Sequence, residues 1–146
     1  MQINSDGISL IKSFEGTRLQ AYRDIKGVWT IGTGTTVYPN GQYVKQGDSI
    51  TQDQATQYLT YDMQRFVNSV NSLVKVTLNQ NQFNALVSLV YNIGATAFAD
   101  STLLKKLNAG DYQGAKAQFT AWSYSEGQYS KGLNNRRLKE QQLFGA

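Results

Sequence analysis

Residues 14–34 read FEGTRLQAYRDIKGVWTIGTG, and this stretch decides the fold. Before it, a short helix is expected from an N-cap at Ser5 to Gly16, which can take the left-handed conformation that ends helices. The apolar residues of that helix recur every three positions, at Ile8, Ile11 and Phe14. From Leu19 to Ile50 short strand-like runs are separated by glycine-containing turns. The stretch therefore predicts a helix followed by a small antiparallel sheet of about three strands.

Beyond residue 50 the hydrophobic spacing becomes helical. Thr51 and Gln54 form a capping-box pattern, and apolar residues then keep helical spacing to about residue 74. Further helices are expected to begin at Asn79, at Ser101, at Asp111 and near Leu133. Residues 19–50 are the only stretch with a β pattern, and the polar loop after Trp122 is expected to lack regular structure. The predicted fold class is α+β: one helix, a small sheet, then mostly helices.

The composition limits the chemistry that the chain can perform. The 146 residues fit a single domain with a real core and include neither cysteine nor histidine. Disulfides, thiolate nucleophiles, zinc-cysteine sites and histidine bases are therefore excluded. Any catalytic acid or base is sought among ten carboxylates, of which only Glu15, Glu126 and Glu140 are glutamates.

The net charge of +4 favours an anionic partner, such as nucleic acid, an acidic polymer or a bacterial envelope. The positive residues are scattered, with the longest cluster at Arg136, Arg137 and Lys139, so the stripe expected of a nucleic-acid binder is absent. No basic segment followed by an apolar run opens the chain, and no window is apolar enough for a membrane span. We expect a soluble chain without a signal of its own, no nucleic-acid partner and no stable membrane insertion.

Three polar residues stand at the β-rich end with the spacing Glu15-x8-Asp24-x5-Thr30. Cleavage of a glycosidic bond needs one carboxyl to protonate the leaving oxygen and a second carboxylate as nucleophile or as the base that orients water. Glu15 lies in the last turn of a helix, and partial burial beside Phe14 is also expected, so it should keep its proton more readily than Asp24. These arguments assign the acid to Glu15, the base to Asp24 and a water-holding hydroxyl to Thr30.

Each of these residues also has an ordinary structural explanation. Glu15 fits a solvated helix end, Asp24 fits a turn before Lys26 and Gly27, and Thr30 is a common strand residue. The spacing alone is moderately specific, and its surroundings decide between the two interpretations.

The surroundings resemble the phage lysozymes, the endolysin family of glycoside hydrolases. The resemblance begins with the stretch from Phe14 to Gly34 around the three polar residues. It continues in the same order through residues 82–86, 91–94, 98–104, Trp122 and 132–140, and covers nearly the whole chain. Where a histidine usually follows the Thr-Ile-Gly-x-Gly run of that family, this chain has Thr35, which can still make one hydrogen bond.

The resemblance implies a single lysozyme-like catalytic domain over residues 1–146. Its small lobe would span about 14–50, its linking helix about 51–74, and its helical lobe about 75–146 together with the N-terminal helix, with a glycan in the cleft between the lobes. It also implies a muramidase that cuts the β-1,4 bond between N-acetylmuramic acid and N-acetylglucosamine, with Glu15, Asp24 and Thr30 as the matching catalytic positions. Inversion at the anomeric carbon would need a carboxyl separation of about 6.5–9.5 Å.

Other residues are candidates for supporting roles. Aromatic, amide and hydroxyl groups suit sugar rings, and glycines leave room for them, so the candidate substrate contacts are Tyr22, Gly32, Tyr91, Asn92 and Ser101. Tyr91 also fits an apolar stripe of the core. Thr35 would support the site without contacting the substrate. Either Arg136 or Arg137 would reach Glu15 and hold it in place, although the two arginines equally fit a solvated helix end. Glu126 and Glu140 are interpreted as solvated charges.

The partners follow from the resemblance. We expect bacterial peptidoglycan as substrate, no cofactor, no metal and a monomer. The chain would stay in the host bacterial cytoplasm until a holin gives it access to the wall in the periplasm or envelope. A peptidoglycan-binding module without activity is the alternative from another class, but it would not need all three polar residues. A lytic transglycosylase, which needs only the acid and releases anhydro sugars, is a third possibility.

Overall fold

The structure is a computed structural model that describes residues 1–146. Seven α helices are present: α1 (Ser5–Glu15), α2 (Gln52–Leu73), α3 (Gln80–Ile93), α4 (Ala95–Ala99), α5 (Thr102–Asn108), α6 (Tyr112–Ala117) and α7 (Lys131–Phe144). The strands are β1 (Arg18–Arg23), β2 (Trp29–Gly32), β3 (Tyr124–Ser125) and β4 (Gln128–Tyr129), and a 3₁₀ turn covers Phe119–Trp122. None of the helices combines the length and the apolar character needed to cross a membrane.

The internal contacts divide the chain into two compact units. The small unit is Ile8–Gln64, and the helical unit is Met1–Gly7 with Arg65–Ala146. The boundaries fall inside α1 and α2, and the whole β1–β2 sheet belongs to the small unit.

In the small unit β1 and β2 form an antiparallel pair. The register sets Arg18 opposite Gly32 and Tyr22 opposite Thr30, with an irregularity between these two pairs. A third segment, 48–50, also hydrogen-bonds to β1 through the Ala21 amide and the Leu19 carbonyl, but it forms only an isolated bridge. The antiparallel arrangement is confirmed, while the expected third strand is this short segment, because only one residue of it pairs regularly.

The core of the small unit is formed by apolar residues from both helices and from the sheet. The apolar face of α1 and the inward side of β2 are buried together with the start of α2, through Ile8, Ile11, Ile31, Val44, Ala55, Leu59 and Met63. The Lys12 ammonium group donates to the Thr56 hydroxyl at 3.0 Å, which joins α1 to α2 within this unit.

The helical unit is built around α3. Eight consecutive residues of this helix, 83–90, are buried, and the helix packs mainly against α7. Of these eight, Asn84 and Ser88 are polar, and both hydrogen-bond to other segments of the unit. A helix that is enclosed on all sides is the core of its domain.

The predicted helix starts are confirmed at four positions. Thr51 and Gln54 form the expected capping box at α2, and Asn79 with Gln82 forms another at α3. Ser101 and Asp111 cap α5 and α6. The expected cap at Ser5 is wrong by one residue, because the Asn4 side chain accepts the Gly7 amide at 3.2 Å and Ser5 is already helical.

The loop after Trp122 is a short β hairpin, which the sequence interpretation missed. Tyr124 pairs with Tyr129 and Ser125 with Gln128 around a turn in which Glu126 and Gly127 have positive φ. The two exposed tyrosine rings stack edge to face, with their centroids 5.8 Å apart. Strands of two residues are too short to leave an alternating pattern in the sequence.

Candidate active site

Glu15 is the last residue of α1, and its position there follows from the glycine after it. The Gly16 amide donates to the Lys12 carbonyl at 2.8 Å, and Gly16 has a φ of +72°, the left-handed conformation that ends the helix. Glu15 is an exposed residue, while its neighbour Phe14 is half-buried. Glu15 therefore lies at the carboxyl terminus of α1, where the glycine ends the helix.

The residues after Glu15 tie it to the sheet. The hydroxyls of Thr17 and Thr33 lie 3.0 Å apart, and Arg18 pairs with Gly32 in the next register position. Thr33 is buried and Thr17 is half-buried, so this contact is partly shielded from water. The short connection therefore anchors the Glu15 end of α1 beside the end of β2.

Asp24 follows β1 directly and organises the turn to β2. Its Oδ1 accepts the amides of Lys26 and Val28, both at 2.9 Å, and its carbonyl accepts the Gly27 amide at 2.9 Å. Such an Asx turn is the ordinary structural role considered for this residue, and Asp24 fulfils it. Only one carboxylate oxygen is used, so Oδ2 can serve another partner.

Thr30 is buried in β2 and lies in the same hairpin as Asp24. Its hydroxyl donates to the Val28 carbonyl at 2.9 Å, and the same oxygen accepts the Asp24 amide at 3.0 Å. A hydroxyl has one proton and two lone pairs, so Thr30 can still accept a hydrogen bond. The hairpin thus links Asp24 and Thr30 through the Val28 carbonyl oxygen. Because this oxygen belongs to the main chain, the pattern of side chains in the sequence could not reveal the link.

The sequence model of the phage lysozyme family matches residues 12–140 of this chain. An endolysin of Acyrthosiphon pisum secondary endosymbiont phage 1 is 46% identical over 148 residues, covering 99% of this chain and 98% of the relative. The chain belongs to the phage lysozyme family.

Solved structures of phage lysozyme relatives agree with this assignment. A crystal structure of a P22 lysozyme mutant superposes with a TM-score of 0.94 at 42% identity, covering 100% of this chain and 99% of the other. The muramidase domain of SpmX from Asticcacaulis excentricus gives a TM-score of 0.87 at 37% identity, with 99% and 98% covered. The predicted lysozyme-like α+β fold is confirmed, and the chain is a glycoside hydrolase of the lysozyme type.

Thr35 has a definite partner in this phage lysozyme. Its hydroxyl donates to Asp62 Oδ2 at 2.8 Å, while its backbone exchanges two hydrogen bonds of 2.9 Å with Ile31. Thr35 is buried, and Asp62 lies on α2. The expected single hydrogen bond is confirmed, and it fastens the end of β2 to α2 within the small unit.

Two candidate substrate contacts in the small unit have different surroundings. Tyr22 is half-buried beneath the Arg18 guanidinium, which lies 4.4 Å from the ring centroid. Gly32 is buried at the end of β2, and its contact with substrate stays a prediction. Its φ of +64°, a conformation that residues other than glycine rarely adopt, explains the glycine.

In the helical unit Ser101 is part of the framework. It is buried, donates to the Phe98 carbonyl at 2.7 Å and accepts the Leu104 amide at 3.0 Å. The proton and one lone pair of its hydroxyl cap α5, which gives Ser101 a structural role, and its contact with substrate stays a prediction. Asn92 is exposed, and Tyr91 is half-buried with its ring edge-on to Phe66, so their contact with substrate stays a prediction.

Arg137 and Glu140 form a buried ion pair on α7, which corrects the interpretation of Glu140 as a solvated charge. The guanidinium Nε lies 2.7 Å from Glu140 Oε1, both side chains are inaccessible, and the Ser88 hydroxyl donates to Oε2 at 2.5 Å. Arg137 also donates to the Asn92 side chain at 2.8 Å and to the Trp122 carbonyl at 3.3 Å. The proposed reach of Arg136 or Arg137 toward Glu15 stays a prediction.

The electrostatics of this pair are dominated by burial. Removal from water raises the pKa of Glu140 above its ordinary value, and Arg137 and the Ser88 hydroxyl oppose that rise. Burial likewise lowers the pKa of Arg137, against the attraction of Glu140. Elsewhere in the chain, acidic side chains do not form a group of three or more that could hold a metal ion.

Proposed function

We propose that this phage lysozyme is an N-acetylmuramidase that hydrolyses the β-1,4 bond between N-acetylmuramic acid and N-acetylglucosamine in bacterial peptidoglycan. The observation that carries the proposal is the Asp24 carboxylate, which holds its own turn with one oxygen, leaves the other without a hydrogen bond and belongs to the hairpin that carries Thr30. Support also comes from a relative of 37% identity described as a muramidase domain. Residues 1–146 would act as one catalytic domain.

The proposed reaction is a single displacement. Asp24 Oδ2 accepts a proton from a water molecule, and the water oxygen attacks the anomeric carbon as the bond to the leaving oxygen breaks. Glu15 donates its proton to that leaving oxygen, and solvent restores it afterwards, since this side chain is exposed. The Thr30 oxygen, which donates its own hydrogen bond to the Val28 carbonyl, accepts a hydrogen bond from the second O–H of the water and so orients the attack. Asp24 then releases its proton to solvent, so both carboxyl groups return to their starting states.

The proposed stereochemistry is inversion. Inversion needs a water molecule between the base and the sugar, and therefore a carboxyl separation of about 6.5–9.5 Å rather than about 5–5.5 Å. A displacement by water from the face opposite the leaving group gives the α anomer from a β-linked glycan. Proton NMR of the first products therefore tests this part of the proposal separately.

The remaining proposals concern partners and location. The +4 net charge would help the chain to collect on an anionic wall, an effect that salt weakens. We propose action as a monomer in the periplasm or envelope, with access from the host cytoplasm through a holin.

Product analysis on purified peptidoglycan tests the proposed activity directly. The expected products carry reducing N-acetylmuramic acid ends, and Glu15→Gln should produce none. Anhydro ends would instead show a lytic transglycosylase, and intact glycan bound by the wild-type chain would show a binding module. Either of these outcomes would overturn the proposed reaction.

A further inference from the structure

A concave site lies in the small unit, and none of the three proposed catalytic residues lines it. It is a cavity of about 430 Å³, within the ~300–1,000 Å³ range usual for small-ligand sites. Its walls include Tyr38, Gln42, Lys45, Asp48, Gln54 and Tyr58, and neither Glu15, Asp24 nor Thr30 lines it. The proposed reaction leaves this cavity without a role.

Two tyrosine rings contribute to the apolar part of the cavity, together with Pro39 and Ile50. The rings of Tyr38 and Tyr58 are tilted by 58°, with their centroids 5.3 Å apart. The Tyr38 hydroxyl donates to Asp48 Oδ2 at 2.8 Å, which fixes the direction of that ring. Rings held in this way lose little conformational entropy when a ligand binds against them.

The polar part of the cavity offers both acceptors and donors. Asp48 Oδ2 accepts the Tyr38 hydroxyl and, at 3.0 Å, the Lys45 amide, which leaves Oδ1 for a ligand. These two hydrogen bonds lower the pKa of Asp48, so the acceptor stays charged in neutral solution. Gln54 uses its carbonyl oxygen to accept the Thr51 amide, so its amide group remains as a donor.

These features describe a particular class of ligand. Sugar rings present apolar faces that pack on aromatic side chains, and hydroxyl groups around their edges that need charged or amide partners. An N-acetyl group adds one donor, which suits Asp48, and one acceptor, which suits the Gln54 amide. The Lys45 ammonium group is placed to attract an anionic substituent on the same chain.

We propose that this cavity is an accessory binding site for a β-1,4-linked N-acetyl amino-sugar chain. The inference rests on the proposed function, since a muramidase acts on a polymer in which such sugars repeat. One enzyme molecule would hold one stretch of the glycan in this cavity while another stretch reacts. The site would prolong residence on an insoluble wall and leave turnover of short soluble fragments unchanged.

The direct test maps binding on the chain that carries Glu15→Gln, so that the ligand stays intact. The tetrasaccharide of N-acetylglucosamine is titrated into the ¹⁵N-labelled chain, with the glucose tetrasaccharide as the control ligand. We expect saturable shifts of the amides of Gln42, Asp48 and Tyr58 with the first sugar and none with the second. An absence of shifts at these amides, or equal shifts with both sugars, would overturn the proposal.

A variant series tests the consequence on the wall. Tyr58→Ala should weaken retention on sedimented peptidoglycan about fivefold to tenfold, whereas Tyr43→Ala, which removes an exposed ring outside the cavity lining, should not. Asp48→Asn, which keeps the size of the side chain, should have the same effect if Tyr58→Ala does not fold. Equal retention of the wild-type and folded cavity variants would overturn the accessory site.

The two proposals fail in different ways. Loss of the accessory site leaves cleavage of soluble fragments by the wild-type chain unaffected. A failure of the proposed function would appear as an absence of reducing muramic acid ends with the wild-type chain itself.

Discussion

Asp24 and Thr30 both donate a hydrogen bond to the carbonyl oxygen of Val28, the first from its amide at 3.0 Å and the second from its hydroxyl at 2.9 Å. The positions of the proposed base and of the water-holding hydroxyl are therefore set by one main-chain atom. The Val28 side chain is 44% exposed and takes no part in this arrangement. The hairpin can keep its two functional groups in register while the side chain at position 28 changes.

Asp24→Asn separates the chemical role of Asp24 from its structural role. The amide oxygen can still accept the Lys26 and Val28 amides, but the variant has no carboxylate to accept a proton from water. We expect lysis of wall suspensions to slow by about 10²–10⁴ with an almost unchanged unfolding midpoint. Asp24→Ala should lose activity and also about 1 kcal/mol of stability for each lost hydrogen bond. Wild-type turnover by Asp24→Asn would remove Asp24 from the mechanism.

Thr30 is tested with a pair of substitutions that differ in the hydroxyl. Thr30→Val keeps the shape but removes the donor to Val28 and the acceptor for water, whereas Thr30→Ser keeps both. We expect Thr30→Val to lose most of the rate and about 1 kcal/mol of unfolding free energy, and Thr30→Ser to keep most of both. If the two variants cleave at the same rate, the hydroxyl has no catalytic role.

Glu15→Gln should abolish wall lysis and leave the fold intact, since the side chain is exposed at the end of α1. The change removes the proton that the leaving oxygen needs, a contribution of about 10²–10⁴ in rate. Glu126→Gln is a matched control, because Glu126 is also an exposed glutamate but lies in the β3–β4 turn. Turbidity and circular dichroism are measured on both, and lysis by Glu15→Gln at the rate of this control would contradict the assignment.

The buried pair on α7 predicts an effect on stability. Glu140→Gln should lower the unfolding free energy by about 3–5 kcal/mol, because it leaves the inaccessible Arg137 guanidinium without a counter-charge. The double variant Arg137→Met with Glu140→Leu removes both charges and should recover much of that loss. Urea denaturation of the single and the double variant checks this. A double variant that is no more stable than Glu140→Gln would show that the two charges are not electrostatically coupled.

Tyr38 predicts a pH dependence at the alkaline end. Burial and the hydrogen bond to Asp48 raise the pKa of Tyr38 from 10.0 to about 12. Because folding favours the neutral phenol, the stability from this contact is complete below about pH 10 and is lost as the pH rises through about 12.

An absorbance titration at about 295 nm follows phenol ionisation. One of the nine tyrosines should ionise near pH 12 in the wild-type chain, and earlier in Asp48→Asn. A tyrosine titration that the substitution leaves unchanged would show that Asp48 does not hold this phenol neutral.

The sequence alone is sufficient to predict structural features that depend on residues close to one another in the chain. Capping at Thr51 and Asn79, the helix end at Gly16, and the hairpin position of Asp24 and Thr30 are all local, and the structure confirms each. The Asn4 cap was missed by one position, since Ser5 and Asn4 are equally good caps in isolation.

Features that depend on distant residues were harder to predict. The burial of Glu140 needs Ser88, 52 residues away, and no local pattern identifies that partner. A signal was nevertheless present, because Arg137 and Glu140 recur with Leu133 and Phe144 at steps of four, three and four, the spacing of one helix face. Polar residues on such a face indicate a buried pair rather than a solvated surface. The exposure of Glu15 and the burial of Ser101 depend on the packing around them.

The enclosure of α3 has a consequence for the order of synthesis. Its eight consecutive buried residues leave the ribosome about 50 residues before α7, against which the helix mainly packs. During that interval the side of the helix that α7 will cover is exposed, which is the condition under which nascent proteins aggregate or engage chaperones. Once the last helix has docked, the amide protons of residues 83–90 should be among the slowest in the molecule to exchange with solvent.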